Sequence, residues 1–243
     1  MGKLHTERLD TDKTSTTGAL RFFSYLPTHR EAGQAILTEI EKYCSQLGVK
    51  TISVCYPAGY YRYRLDGHRL SSAMLHVLAL LGTNDYQIQP VYFFMHRQLL
   101  VEGLAEPALP GSHIRVEVIK NHIKQNNLPD SQPHLYLYLW QGKKRIGLCQ
   151  NALGSVLSQQ PVIRHSAYVQ WIKIEPEARQ HGLGAYLLQR TLFELQNLGC
   201  RNVYADVRCK NYAAQMLHIQ AGYQVIHCKY SASKLLNNSM PVT

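Results

Sequence analysis

Two periodicities alternate along this chain. In "EAGQAILTEIEKYCSQLG" the apolar residues Ile36, Leu37, Ile40, Tyr43, Cys44 and Leu47 recur at helical spacing, and Gly48 is placed to end the helix. A second helix is expected around "LSSAMLHVLALLG" and a third after Gly182, with Leu187, Leu188, Leu192, Leu195 and Leu198 on one side and Gly199 as its stop. A fourth falls in "NYAAQMLHIQAG". Between them, short apolar or alternating runs predict strands: "ALRFFSYLP", "VKTISVCYP", "YQIQPVYFFMH", "AYVQWIKIEP", "RNVYADVR" and "YQVIHCKYS". "HLYLYLWQGKKRIGLCQNAL" reads as a hairpin, two alternating strands about a Gly-Lys turn, whereas "HIRVEVIKNHIKQNN" fits strand or helix equally.

The order strand–helix–strand–helix–strand thus occurs twice, and a detail repeats with it. Pro27, Arg30, Gly33 and Ala35 match Pro176, Arg179, Gly182 and Gly184 as P-x-x-R-x-x-G-x-[AG], each time at a strand-to-helix joint. Such a pattern arises by chance at roughly one start in ten thousand or fewer, so an internal duplication is the simplest source. The expected organisation is a disordered tail over 1–18, a first half over 19–102, a Pro- and Gly-rich linker over 103–112, a second half over 113–235 and a tail over 236–243.

Composition changes this picture little. The chain has 243 residues, 45% hydrophobic and 17% charged, as folded proteins do. It contains no uninterrupted apolar run of the roughly 20 residues that a membrane span needs. The opening "MGKLHTERLDTDKTSTTG" has no apolar h-region, so the expected location is cytoplasmic. Six scattered cysteines form neither a C-x-x-C pair nor a metal cluster; they read as reduced thiols, and no metal is expected. The formal charge of +10 invites a nucleic-acid partner. Yet Arg62, Arg64 and Arg69 gather at one turn and Lys143, Lys144 and Arg145 at a hairpin tip, with no zinc-finger or RNP-type pattern. An anionic ligand uses the same charge more economically, and no nucleic acid is expected.

Candidate chemistry lies at the second glycine joint, "PEARQHGLGAYLLQ". A strand turning directly into a helix leaves the first helical N–H groups without partners, and these favour an anion, above all a phosphate. Glycines let a diphosphate approach the backbone, and a flanking arginine adds charge. The spacing is not G-x-G-x-x-G, and no Lys-Ser or Lys-Thr follows, so neither a Rossmann nor a Walker loop is indicated. A tight turn with close helix packing is the other reading of the same residues.

R-x-x-G-x-[GA] at this joint resembles the acyl-CoA signature of the GCN5-related N-acetyltransferase (GNAT) superfamily. "ADVRCKNYAAQMLHIQAGYQVI" resembles that family's second conserved block, with Asn211, Ala214, Leu217, Gly222 and Tyr223 in the matching places. Its wording "DVR-x-x-N" is closest to the branch that acetylates protein N-termini. The resemblance is good over 135–230 and weaker over 19–97. It implies an α+β fold of two tandem GNAT-like units, each a mixed, mostly antiparallel sheet flanked by helices, with the first half degenerate.

The resemblance also implies roles. Arg179, Gln180, His181, Gly182, Leu183, Gly184 and Ala185 would hold the pyrophosphate of acetyl-CoA. Ile172, Lys173 and Ile174 would pair with its pantetheine arm as a neighbouring strand does, and Asn211 would fix the loop before the last helix. Deprotonating an amine of pKa near 10.4 at neutral pH costs roughly 4–5 kcal/mol, so a base is useful. Asp206 stands where the N-terminal branch carries a glutamate base; pairing with Arg208 or Lys210 at a strand end is its other reading. His218 replaces the family's usual tyrosine acid and is expected to protonate the leaving thiolate, as a neutral N–H donor or a partly protonated ring; a bystander is the alternative. Cys200 and Cys209 have no evident His partner, so no acyl-enzyme is expected. The first half puts Leu81 at the acid position and is read as a structural or substrate-shaping repeat with at most weak coenzyme affinity. The expected activity is direct acetyl transfer to a primary amine of a small molecule or peptide, by a monomer or homodimer. The competing expectation is a non-catalytic module that binds coenzyme A or a protein partner.

Overall fold

The computed structural model describes residues 17–20, 22–54, 69–99, 103–121 and 134–236. Most of both expected tails, and the turn bearing Arg62 and Arg64, lie outside the described residues. The fold is α+β, and the chain divides into two compact units, one of Met1–Tyr92 with His227–Thr243 and one of Phe93–Ile226. It passes between them within strands β4 (Gln87–Gln98) and β10 (Gln224–Leu235). The divide therefore does not fall at 103–112. That segment is a strap inside the second unit: the Leu104 amide donates to Gln196 Oε1 at 2.6 Å, and Glu106 pairs with Arg190. Proline and glycine supply irregular backbone there, but two side-chain anchors hold it.

In the first unit β1 (Thr17–Leu20) runs parallel to β2 (Thr51–Val54), and β2 and β3 (Leu70–Ser71) each pair antiparallel with β10. Helices α1 (Arg30–Gln46) and α2 (Leu75–Gly82) complete it. The run expected as a strand from Ala19 to Pro27 is one only to Leu20. The apolar face expected on α1 is narrower too: Gly33, Leu37 and Cys44 are buried, whereas Ile36, Tyr43 and Leu47 are 43–51% exposed. Gly33 is selected by packing, because a Cβ there would lie 2.7 Å from the Tyr25 ring. Tyr25 is itself fixed, its hydroxyl donating to the His76 carbonyl at 2.6 Å.

In the second unit the strand order is β4, β9 (Asn202–Arg208), β8 (Ser166–Ile174), β7 (Lys144–Leu153), β6 (His134–Gln141) and β5 (Ile114–Asn121). Pairing is antiparallel from β5 to β8 and parallel between β8 and β9. The ambiguous segment from His113 is thus a strand as far as Asn121, because its alternating Val116 and Val118 sit opposite Leu139 and Leu137 of the hairpin; the rest of it lies outside the described residues. Two four-residue helices not foreseen in the sequence, α3 (Gly154–Leu157) and α4 (Pro161–Arg164), join β7 to β8. Leu135, Leu137 and Leu139 face one side of the sheet. There they form one core with Leu187, Leu188, Leu192 and Leu195 of α5 (Leu183–Asn197), all at 0% exposure. Removing each such side chain from water contributes about 1.5–3 kcal/mol, which fixes α5 against the sheet and with it the glycine joint at its start.

Candidate active site

The joint between β8 and α5 takes a specific path. Pro176–Ala178 make one 3-10 turn, Arg179 is extended, and Gln180 and Gly182 are left-handed at φ 66° and 71°. A non-glycine residue in that region costs about 1–2 kcal/mol, a cost that Gly182 avoids. Gly182 is the N-cap of α5, and no side chain caps this end. The first intrahelical bond runs from the Tyr186 N–H to the Gly182 carbonyl at 3.0 Å. The amides of Leu183, Gly184 and Ala185 precede it and have no acceptor inside the helix. A Cβ on Gly182 would meet nothing within 4 Å, and one on Gly184 would touch only Ile174 and Leu217 at 3.9 Å. The polar side chains here turn back on the loop. Arg179 Nε donates to the Ile174 carbonyl at 3.0 Å, and His181 Nδ1 donates to the Arg179 carbonyl at 2.6 Å. Open space beside bare amides at a helix start fits an anionic group such as a pyrophosphate.

A second opening lies at the same end of the sheet. The parallel pairing of β8 with β9 runs from Ser166–Asn202 to Val169–Ala205 and stops, although β8 continues to Ile174 and β9 to Arg208. The two strands part where the β7–β8 register slips at Gln150/Asn151, which leaves Gln170 as an extra residue on β8. Such a bulge bends its strand and raises its twist. Past it, the backbone edge of Ile172, Lys173 and Ile174 toward β9 carries no strand partner, so an extended ligand arm fits there as a strand would. The sequence carried a signal for this bulge. The inward apolar positions of β8 are Ala167, Val169, Ile172 and Ile174, so the spacing slips once from two to three.

Asp206 lies on β9 just past Ala205, the last residue paired with β8, and is half-buried between Ala205 and Val207, both buried and facing α5. Alternation puts it on the opposite face, which it shares with Tyr204. Asn211 is the N-cap of α6 (Tyr212–Gln220), its Oδ1 accepting from the Ala214 amide at 3.1 Å. Cysteine chemistry is not offered at Cys200, whose thiol burial pushes up to about 11.

His218 does not fit the acid role expected of it. It is 3% exposed and packs edge-on against Tyr223 with ring centroids 5.0 Å apart. Its Nδ1 lies 2.8 Å from the Ala214 carbonyl, which only accepts, so the proton of the neutral ring is on Nδ1 and already engaged. Nε2 then carries a lone pair and is sealed from solvent. Donation from Nε2 needs the imidazolium, and burial lowers the His218 pKa from its ordinary value. The expectation rested on the residue type at a matching position. A histidine ring is shorter than the tyrosine it replaces and here bonds its own helix.

The glycine joint of the first half also differs from its sequence match. Helix α1 starts at Arg30, so Gly33 lies within the first turn of the helix, with its amide bonded to the His29 carbonyl at 3.2 Å. The space beside it is filled by Tyr25. No open cradle equivalent to that at Gly182 forms there, which removes the basis for coenzyme affinity at this joint.

Among known proteins, residues 105–223 match the model of the acetyltransferase (GNAT) family. The fold is shared with a GCN5-related N-acetyltransferase from Sphaerobacter thermophilus (TM-score 0.60, 13% identity, covering 90% of this chain and 72% of that one). It is also shared with a tandem GNAT protein from the clavulanic acid biosynthesis pathway (TM-score 0.64, 11% identity, 90% and 75% covered). A third likeness is to a GCN5-related N-acetyltransferase from Kribbella flavida (TM-score 0.54, 10% identity, 98% and 89% covered). No curated protein sequence matches the chain. The family match thus lies wholly within the second unit, and what the solved structures share with this chain is the fold.

Proposed function

We propose that the second unit is an acetyl-CoA-dependent N-acetyltransferase that passes the acetyl group directly to a primary amine of a small molecule or peptide. The observation that carries this reading is the coincidence of two openings at one end of the sheet. One is the uncapped start of α5 beside Gly182, and the other is the gap where β8 and β9 part. The coenzyme, when bound, supplies an activated acetyl thioester. The amides of Leu183, Gly184 and Ala185 bind its pyrophosphate, with Arg179 adding positive charge beside them. The strand edge at Ile172–Ile174 orients its arm, and an amide on that edge is placed to polarise the acetyl carbonyl. Asp206 accepts the amine proton, directly or through water, on the face of the sheet opposite α5. Asn211 acts one step removed, holding the start of α6. His218 is a packing residue in this scheme.

The sealed Nε2 of His218 also favours a second reading, a module that binds coenzyme A without turning it over. Thiol release from acetyl-CoA in the presence of polyamines, aminoglycosides, amino acids and N-terminal peptides separates the two. The proposal predicts release with at least one class, and a loss of about 10²–10⁴ in kcat for Asp206→Asn at unchanged coenzyme affinity. Tight binding with no release on any amine supports the module.

A further inference from the structure

The face of the second unit's sheet that turns away from α5 carries a feature that the proposed acetyl transfer does not use. Along β6, Leu135, Leu137 and Leu139 point into the core, so Tyr136, Tyr138 and Trp140 stand in file on the other face. Their ring centroids are 6.1 and 6.4 Å apart, and the two tyrosine planes lie within 7° of parallel. Trp171 joins this face through the register, since Gln150 pairs with both Tyr136 and Trp171, and it is 55% exposed. Two guanidinium groups complete the surface. Arg115 lies 5.5 Å from the Trp140 ring centre and Arg145 5.3 Å from that of Tyr138.

These two arginines differ from their basic neighbours. Lys120, Lys144, Lys173 and Arg190 of this unit are each paired with a glutamate. Arg115 and Arg145 are exposed, and among the described residues neither is paired with a carboxylate; their charge lies over rings. The acidic group nearest the file, Glu117, is used to fix the indole, accepting from Trp140 Nε1 at 2.8 Å. The three rings of the file are half-buried and Trp171 is exposed; rings so offered, with cations beside them and a chain charge of +10, match unstacked bases joined by phosphates. A duplex hides the faces of its bases and does not meet this chemistry.

We propose that the sheet face bearing Tyr136, Tyr138, Trp140 and Trp171 binds single-stranded nucleic acid, the rings taking bases and Arg115 and Arg145 taking phosphates. This reverses the expectation drawn from the linear sequence, where the basic residues looked dispersed. Folding brings Arg115, from β5, and Arg145, from β7, to either side of one aromatic strand. The file shares its sheet face with Asp206 but uses none of the residues assigned to the transfer, and the proposal stands or falls separately from it.

The chain contains two tryptophans, Trp140 and Trp171, and both are on this face, so indole emission reports on it alone. The test titrates a short poly(rA) oligonucleotide into the intact chain, with an abasic oligonucleotide of equal charge and polyglutamate as parallel arms. Saturable quenching by poly(rA), at least about tenfold tighter than either control, is expected. Tyr138→Ala is expected to weaken binding about tenfold, and Arg145→Gln to reduce the salt dependence by about one phosphate contact. Absence of quenching at low salt overturns the proposal. So does equal binding of polyglutamate or of the abasic strand, which marks the surface as a general anion or acidic-peptide site. Wild-type binding by both variants, each folded by circular dichroism, also overturns it.

Discussion

At the scale of single residues, His218 shows how far chemistry at a matching position depends on where the side chain ends. Burial lowers its pKa below the ordinary 6.5. The unfolded chain therefore takes a proton over a range in which the folded chain does not. The stability linked to this residue is complete above the unfolded value and is lost as pH falls through the depressed folded value. His218→Phe removes the titrating group while keeping an aromatic ring against Tyr223. The variant should lose less Tm than wild type when the pH is lowered from about 7.5 to about 5.5, as followed by circular dichroism. Equal losses contradict the assignment. Because the ring is sealed, kcat of His218→Phe should stay within about tenfold of wild type, short of the 10²–10⁴ that a general acid supplies. The residue type at position 218 was legible in the sequence. Its bond to Ala214 was not, because no pattern separates a ring facing a cleft from one turned against its own helix.

At the scale of elements, the site is built from ends rather than middles: the start of α5, the parted ends of β8 and β9, and the start of α6. Asn211 ties the last of these, so Asn211→Ala should cost about 1 kcal/mol in urea unfolding, with coenzyme affinity changed only modestly. A loss of affinity without loss of stability would instead put Asn211 in direct contact with the coenzyme. Strong periodicity made α5, α6 and the β6–β7 hairpin legible, since Leu187, Leu188, Leu192 and Leu195 repeat at a spacing that only a helix packed on one side explains. Weaker patterns misled. On α1 the stripe suggested by Ile36, Tyr43 and Leu47 is too wide, because that helix buries only the line of Gly33, Leu37 and Cys44. The bulge at Gln170 was readable only as a single phase slip along β8, and a phase slip does not by itself reveal that two neighbouring strands part.

At the scale of the whole molecule, the repeated P-x-x-R-x-x-G-x-[AG] wording does not produce repeated sites. In the second unit Gly182 is left-handed and open. In the first unit Gly33 is helical and covered by Tyr25. The same letters serve backbone exposure in one place and close ring packing in the other, a difference set by whether the helix starts before or after the glycine. Acetyl-CoA should accordingly bind once per chain. The most direct test of the account is calorimetric titration of acetyl-CoA into the wild type and into Gly182→Val and Gly182→Asn. Asparagine tolerates the left-handed backbone and valine does not, so the pair separates strain from occupied space. One site is expected in the wild type and none in either variant, with Gly182→Asn still folded. Two sites per chain, or wild-type affinity in Gly182→Asn and Gly182→Val, would contradict it.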